Sequence, residues 1–363
     1  VADRQEFADL MAQLVSELTA LHTYVYGGDH RSGVDNVSVG TLGARLERER
    51  DGFRVAHIYP SDPDEPWRAS PLARHDVKVA EGDLITAVNG ISATSVASFN
   101  DLLRNQVGQQ VLLDIESRGS RRQVVVEPIS AGDEAELRYH AWEYTRRLEV
   151  DRMSDGTIGY VHLRAMGGDD IDQFARDYYP VFKRQGLILD LRHNRGGNVE
   201  SLLLEKLARR SWMYWAPRRG ESWRNMQYAF NGHMAVIMDE RTVSDGEVFV
   251  EGFRRLGLGK LIGVRTLGGE IWLTSSNRMV DNGIATAAEF GVYGPEGAWL
   301  IENHGVEPDI TVENPPHATY QGADAQLEAA VRHLQALIEA EPPSVPAPPE
   351  YPDKSSDDNR APR

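Results

Sequence analysis

Residues 234–258, MAVIMDERTVSDGEVFVEGFRRLGL, decide how this chain is read. Met234 to Asp239 make a short apolar run with the length of a buried strand, and Asp245-Gly246 opens a segment whose apolar residues Val248, Phe249 and Phe253 recur at helical spacing. Ser244 falls at the corner between them. Such a corner lifts a serine hydroxyl clear of both elements and aims backbone N–H groups, at the positive end of the helix dipole, toward whatever the serine attacks. A serine before a helix is also a common N-cap, so the corner alone does not separate a nucleophile from a cap.

Outward from the corner, residues 131–340 alternate in texture. A helix is expected over 134–147, then strands at 158–163, 187–191, 235–238 and 261–264 interleaved with helices at 170–184, 199–210 and 246–256, further strands within 278–288, and a closing helix over 323–340. Alternation of this kind predicts an α/β layered core. The strand at 187–191 runs into Asp190-Leu191-Arg192-His193-Asn194-Arg195-Gly196-Gly197. Glycines let the backbone turn sharply at a strand's carboxyl end, where open α/β sheets place their sites, and let N–H groups approach a ligand closely. A plain turn into the next helix is the alternative. A third stretch, Ala298-Trp299-Leu300-Ile301-Glu302-Asn303-His304-Gly305-Val306-Glu307-Pro308-Asp309, places Glu302 near a strand end, where it orients a histidine, binds a metal or stays solvated.

Upstream, Phe7, Leu10, Met11, Leu14, Leu18 and Leu21 recur at steps of three and four and predict an amphipathic helix over 4–21, with His22 at its end and Gly27-Gly28 stopping it. From 37 to 129 the pattern becomes short β-like runs with one helical piece at 98–106. The order of those runs and the D-x-I-x-x-V-N-G motif at Asp83, Ile85, Val88, Asn89 and Gly90 resemble a PDZ domain. That resemblance implies peptide capture by strand addition, with the loop Val39-Gly40-Thr41-Leu42-Gly43 offering N–H groups to a C-terminal carboxylate; Gly40, Leu42 and Gly43 are its candidate binding residues, and a purely structural role is the rival.

A formal net charge of −16 and a pI near 5.2, with no concentrated basic face, argue against nucleic acid or an anionic membrane as partner. The absence of cysteine removes disulfides, thiol catalysis and Cys-ligated zinc. With no H-E-x-x-H and eleven scattered histidines, neither a metal nor a cofactor is expected. No apolar run approaches a membrane span. A chain that opens on Val1 rather than Met reads as a fragment or processed product, and residues 341–363, with seven of the eighteen prolines, as a disordered tail.

Together these pieces resemble the tail-specific and tricorn group of serine peptidases, which join a PDZ module to an α/β core carrying D-x-R-x-N-x-G-G, a serine at a strand-to-helix corner and a C-terminal G-V-x-P-D. Where the carboxy-terminal processing branch has a G-K-G lysine, this chain reads Leu267-Gly268-Gly269-Glu270. The tricorn branch instead uses a histidine before the PDZ domain and a glutamate upstream of G-V-x-P-D, and His22 and Glu302 stand at those places. The resemblance thus implies Ser244 as nucleophile, His22 as base, Glu302 completing the charge network, the amides of Gly197 and Asp245 as oxyanion hole, and Gly196 and Trp215 as substrate-binding residues. Leu21 replaces the serine that precedes the family's histidine, and Thr242-Val243 replace small residues before the nucleophile. Trp215 stands where tricorn carries an acidic residue, which predicts apolar or aromatic P1 residues, or a shallower pocket.

The fold class expected is a multidomain α+β and α/β chain: an N-terminal helical segment (1–34), a PDZ-like β domain (35–130), an α/β layered peptidase core (131–340, a β-sandwich with helices) and the tail. The implied activity is serine endopeptidase on peptides or unfolded polypeptides, metal-free, homo-oligomeric and cytoplasmic, with the periplasm as alternative. The competing readings are a non-catalytic binding protein on the same fold and a PDZ adaptor. The propellers that precede these domains in the family lie upstream if Val1 is a cut site; otherwise this is a minimal core.

Overall fold

The computed structural model describes residues 1–29, 37–273 and 277–352, so the expected boundary at 34–35 and the end of the Pro-rich tail lie outside the described residues. The chain divides into two compact units, residues 30–149 and residues 1–29 with 150–363. Helix α1 (Arg4–Ser16) is capped by Asp3, whose carboxylate accepts from Glu6 N at 2.9 Å. It stops five residues short of the expected end at residue 21, and positive φ at Thr19 and His22 turns the backbone away. Its stripe of Phe7, Leu10 and Leu14 is exposed, and only Ala8 is buried. Strand β1 (Val25–Gly27) then pairs antiparallel with residues 283–285, a pairing of three residues a side that no periodicity announced.

In the middle unit, β2 (Gly40–Thr41), β3 (Ala44–Arg48), β4 (Phe53–Ile58), β5 (Leu84–Val88), β6 (Ile91–Ser92), β7 (Val111–Ser117), β8 (Ser120–Val126) and β9 (Ile129–Ser130) form an antiparallel sheet in the order β3-β4-β5-β7-β8, with β6 on β5 and a separate β2–β9 pair. Alternate residues Val111, Leu113, Ile115, Val124 and Val126 turn inward around Phe53 and Phe99. The piece expected as a helix over 98–106 is a single 3₁₀ segment, Phe99–Leu103. Among the described residues strand β3 is an edge strand with one side unpaired.

Helix α2 (Ala131–Ser154) leads into β10 (Ile158–His162), α3 (Gly168–Val181), β11 (Gly186–Asp190), α4 (Glu200–Ala208), the hairpin β12 (Met213–Trp215) and β13 (Trp223–Asn225), β14 (His233–Met238), α5 (Asp245–Arg255), β15 (Gly259–Gly263), β16 (Gly283–Ala285), β17 (Ile310–Thr311), α6 (Pro316–Tyr320) and α7 (Ala325–Ala340). Strands β10-β11-β14-β15-β17 make one parallel sheet in that order. Leu187, Leu189, Val236 and Met238 turn to the face covered by α3, α4 and α5, while Ile188, Ala235 and Ile237 turn to the face covered by α7. A sheet buried on both sides explains why these strands read as unbroken apolar runs, and the layering is helix, sheet, helix. All parallel strands end on one side, so the loops after β11 and β14 emerge together. Among the described residues no helix is long and apolar enough to cross a membrane.

Candidate active site

The turn after β14 is held by its own polar groups. Asp239 accepts from His193 N at 3.0 Å and Arg241 N at 3.1 Å, and the buried Thr242 hydroxyl donates to Leu191 O at 2.9 Å, tying this loop to the one after β11. Ser244 follows at φ 57, ψ −129. An L-residue in that region costs about 1–3 kcal/mol and persists only where its surroundings impose it. Here they do: Val243 N donates to Asn194 O at 3.0 Å, Ser244 N to Gly269 O at 2.9 Å, and a Cβ at Gly196 would lie 2.6 Å from Ser244 Cβ. Glycine at 196 is therefore required by the close approach of the serine. Asn194 spans the same gap, donating to Leu163 O at 2.7 Å and accepting from Gly196 N at 2.9 Å.

Gly197 has φ 156, and a Cβ there would overlap Met166 O at 1.9 Å. Among the described residues its amide, like that of Asp245, has no protein acceptor. The Asp245 carboxylate is turned away from its own N–H, accepting from Val199 N at 2.8 Å and Glu200 N at 3.2 Å at the start of α4. Burial and the neighbouring Glu200 push that carboxyl up to about 7.

His22 and Glu302 reach the same region from opposite ends of the chain. The Leu21 side chain packs on Gly269, where a Cβ would lie 3.1 Å from it, and Gly269 is the residue whose carbonyl holds Ser244 N. His22 Nδ1 lies 2.5 Å from Ile271 O, and a carbonyl can only accept, so Nδ1 is the donor, which in the neutral imidazole leaves the lone pair on Nε2. Glu302 does not touch the imidazole: Oε1 accepts from Leu21 N at 3.0 Å and Oε2 from Glu270 N at 2.6 Å and Ile271 N at 3.0 Å. Its neighbours Ile301 and Asn303 both have positive φ, an outlier for a β-branched residue. No hydrogen bond joins Ser244 Oγ to His22, and catalytic hydrogen bonds commonly close only once substrate is bound.

Three residues of this region were not singled out from the sequence. Glu247, the last residue of the S-x-x-E pattern Ser244-Asp245-Gly246-Glu247, accepts from Ser244 N at 3.1 Å, and that capping-box signature could have found it. Glu270 is buried, with Oε2 lacking a partner among the described residues, and Glu200 lies beside Asp245; neither carries a motif. Asp190 and Arg192, by contrast, belong to structure rather than chemistry. Arg192 bonds Asp190 Oδ2 at 2.6 Å and Asp324 Oδ1 at 2.8 Å, and Tyr160 OH donates to Asp190 at 2.9 Å, all buried. Burial pushes the Asp190 carboxyl up, but Arg192 outweighs it and the net direction is down. Arg192→Ala would strand two buried carboxylates and is expected to cost about 3–5 kcal/mol in urea unfolding; a loss below about 1 kcal/mol would contradict this account of the network.

Trp215 sits half-exposed on the β12–β13 hairpin, its ring stacked on Trp223 at 6.5 Å. In the middle unit, Leu42 is buried and lines a groove of ≈ 420 Å³ along β3 with Leu46, Arg48, Phe53 and Phe99. Gly40 and Gly43 pack behind it: a Cβ at Gly40 would meet Pro128 at 2.9 Å, and one at Gly43, which has φ 64, would meet Leu137 at 2.8 Å. Among the described residues no group of His, Asp and Glu is placed to hold a metal ion.

Two family models fit the two units. Residues 157–312 match "Peptidase family S41" and residues 40–131 match "Tricorn protease PDZ domain". The chain belongs to the tricorn-type S41 serine peptidases. Tricorn protease homolog 1 of Streptomyces coelicolor is 36% identical over 350 residues, 95% of this chain and 32% of that protein. Tricorn protease of Thermoplasma acidophilum is 30% identical over 337 residues, 93% of this chain and 31% of that protein. The crystal structure of the tricorn protease superposes with a TM-score of 0.83 at 29% identity, over 94% of this chain and 33% of that one. The chain thus spans about a third of the length of these relatives.

Proposed function

We propose that this chain carries a working serine peptidase site with Ser244 as nucleophile and His22 as base. The observation that supports it most is Ser244 at φ 57 with Gly196 against its Cβ and the amides of Gly197 and Asp245 free of protein acceptors. In this reading Ser244 Oγ bonds to the scissile carbonyl carbon while its proton passes to His22 Nε2, and the two amides hold the oxyanion. Collapse breaks the C–N bond as His22 returns the proton to the leaving amine, and water, activated the same way, releases the acid. The groove beside edge strand β3 suits an added peptide strand, which supports a peptide or unfolded polypeptide as substrate. Homo-oligomeric assembly and a cytoplasmic site belong to the same proposal and rest on likeness to tricorn alone, as the apolar P1 preference rests on Trp215 alone.

Fluorophosphonate labelling tests the nucleophile. Wild type is expected to label and Ser244→Ala not to; a folded wild type that stays unlabelled would favour the non-catalytic binding protein. Peptides with Phe, Leu, Arg or Lys at P1 test the specificity, which an Arg preference would overturn.

A further inference from the structure

Glu247 is fully buried, and a capping box accounts for only one of its bonds. Besides Ser244 N, Oε2 accepts from Gly269 N at 2.8 Å, and Oε1 accepts from Gly268 N at 2.7 Å and Thr266 Oγ1 at 2.5 Å. A carboxylate offers about four lone-pair sites, and here all are taken, three of them by one loop. That loop continues into Glu270 and Ile271, whose amides are held by Glu302 and whose last carbonyl holds His22 Nδ1. Segment 266–271 is therefore gripped by Glu247 at the end that touches Ser244 and by Glu302 at the end that aims His22.

We propose that Glu247 is a positioning residue, which acts through segment 266–271 to set His22 Nε2 against Ser244 Oγ. The proposal rests on the peptidase reading above. Two features separate it from plain capping. A cap satisfies helix N–H groups, whereas three of the four donors here belong to residues 266–269. The imidazole is also oriented by the Ile271 main-chain carbonyl, with no carboxylate on the ring, so any shift of the segment turns the base directly. With Leu21 in place of the serine expected before His22, no side-chain hydroxyl among the described residues links Glu302 to the base, and the main chain is the route that remains.

The test is Glu247→Gln, which keeps the shape but sets an amide N–H among four donors and so frees part of the loop. The rate of fluorophosphonate labelling is compared with wild type below the unfolding temperature, together with the ¹⁵N shifts of the His22 ring, assigned by their loss in His22→Asn. Labelling is expected to slow about 10²-fold, the penalty of a displacement near 1 Å, and His22 to change from a single Nδ1–H tautomer to a mixture. An unchanged rate, or a slower rate with the tautomer unchanged, overturns the proposal. Thr266→Val, which removes one donor, serves if Glu247→Gln does not fold, with the same two readouts and a smaller loss. A wild type that does not label at all defeats the peptidase reading instead, and so the two failures are distinguishable.

Discussion

His22→Asn is expected to lower kcat/KM for a peptide substrate by about 10⁴-fold, the upper range for removal of a positioned general base, without a matching loss of stability. Asparagine is the informative replacement because residue 22 has φ 60, a conformation that Asn tolerates and that would strain most side chains. It also cannot take a proton from Ser244 near neutral pH. The ring contributes little else to the fold: beyond its bond to Ile271 O it meets Tyr24 edge-on at 5.7 Å and is only partly buried. The main-chain carbonyl of residue 22, which accepts from Thr286 Oγ1 at 2.5 Å, is untouched by the substitution. A variant that keeps more than a tenth of the wild-type kcat/KM would remove His22 from the mechanism and leave Ser244 without a base.

The two halves of this site differ in how much of them could be read from residues alone. The corner at Ser244 was legible because a buried strand and an amphipathic helix each leave a periodic trace, and the turn between them has to hold whatever residue falls there. Gly196 and Gly197 were legible for a related reason, since each stands where a side chain would collide with Ser244 or Met166. The side that carries His22 is different. Glu302 works on the amides of Leu21, Glu270 and Ile271, and His22 on the carbonyl of Ile271. Backbone groups are the same in every residue, so only the fold discloses which of them a carboxylate will meet. The three-residue pairing of β1 with β16 escaped for want of length: residues 283–285 sat within a longer expected strand run, and residues 25–27 looked like the end of a helix. Periodicity alone also overran the first helix, because the positive φ at Thr19 has no counterpart in an apolar pattern.

The densest consequence of that arrangement is electrostatic and falls on Glu270. Burial pushes its carboxyl up to about 9, reinforced in order by Asp245 and Glu247 on α5, Glu200 on α4, and Glu302. Its own amide is held by Glu302, which fixes its main chain beside that carboxylate. An acid whose folded value lies above its unfolded value near 4.5 is most stabilising when protonated in both states, and that advantage is lost as pH rises from about 4.5 to about 9. At about 1.4 kcal/mol per pH unit, the loss is roughly 3 kcal/mol by pH 7. Glutamine is neutral at every pH and nearly isosteric, but its amide brings a second proton into a spot where Oε2 has no partner among the described residues, a cost of about 1 kcal/mol. Glu270→Gln is therefore expected to match or fall slightly below wild type at pH 5, exceed it by roughly 2 kcal/mol at pH 7, and exceed it further at pH 9, in urea unfolding at each pH. Asp245, itself pushed up to about 7, titrates in both proteins and so largely cancels from the comparison. A difference that stays flat from pH 5 to pH 9 would mean that Glu270 ionises without hindrance and that the carboxylates around Ser244 do not share the buried space described.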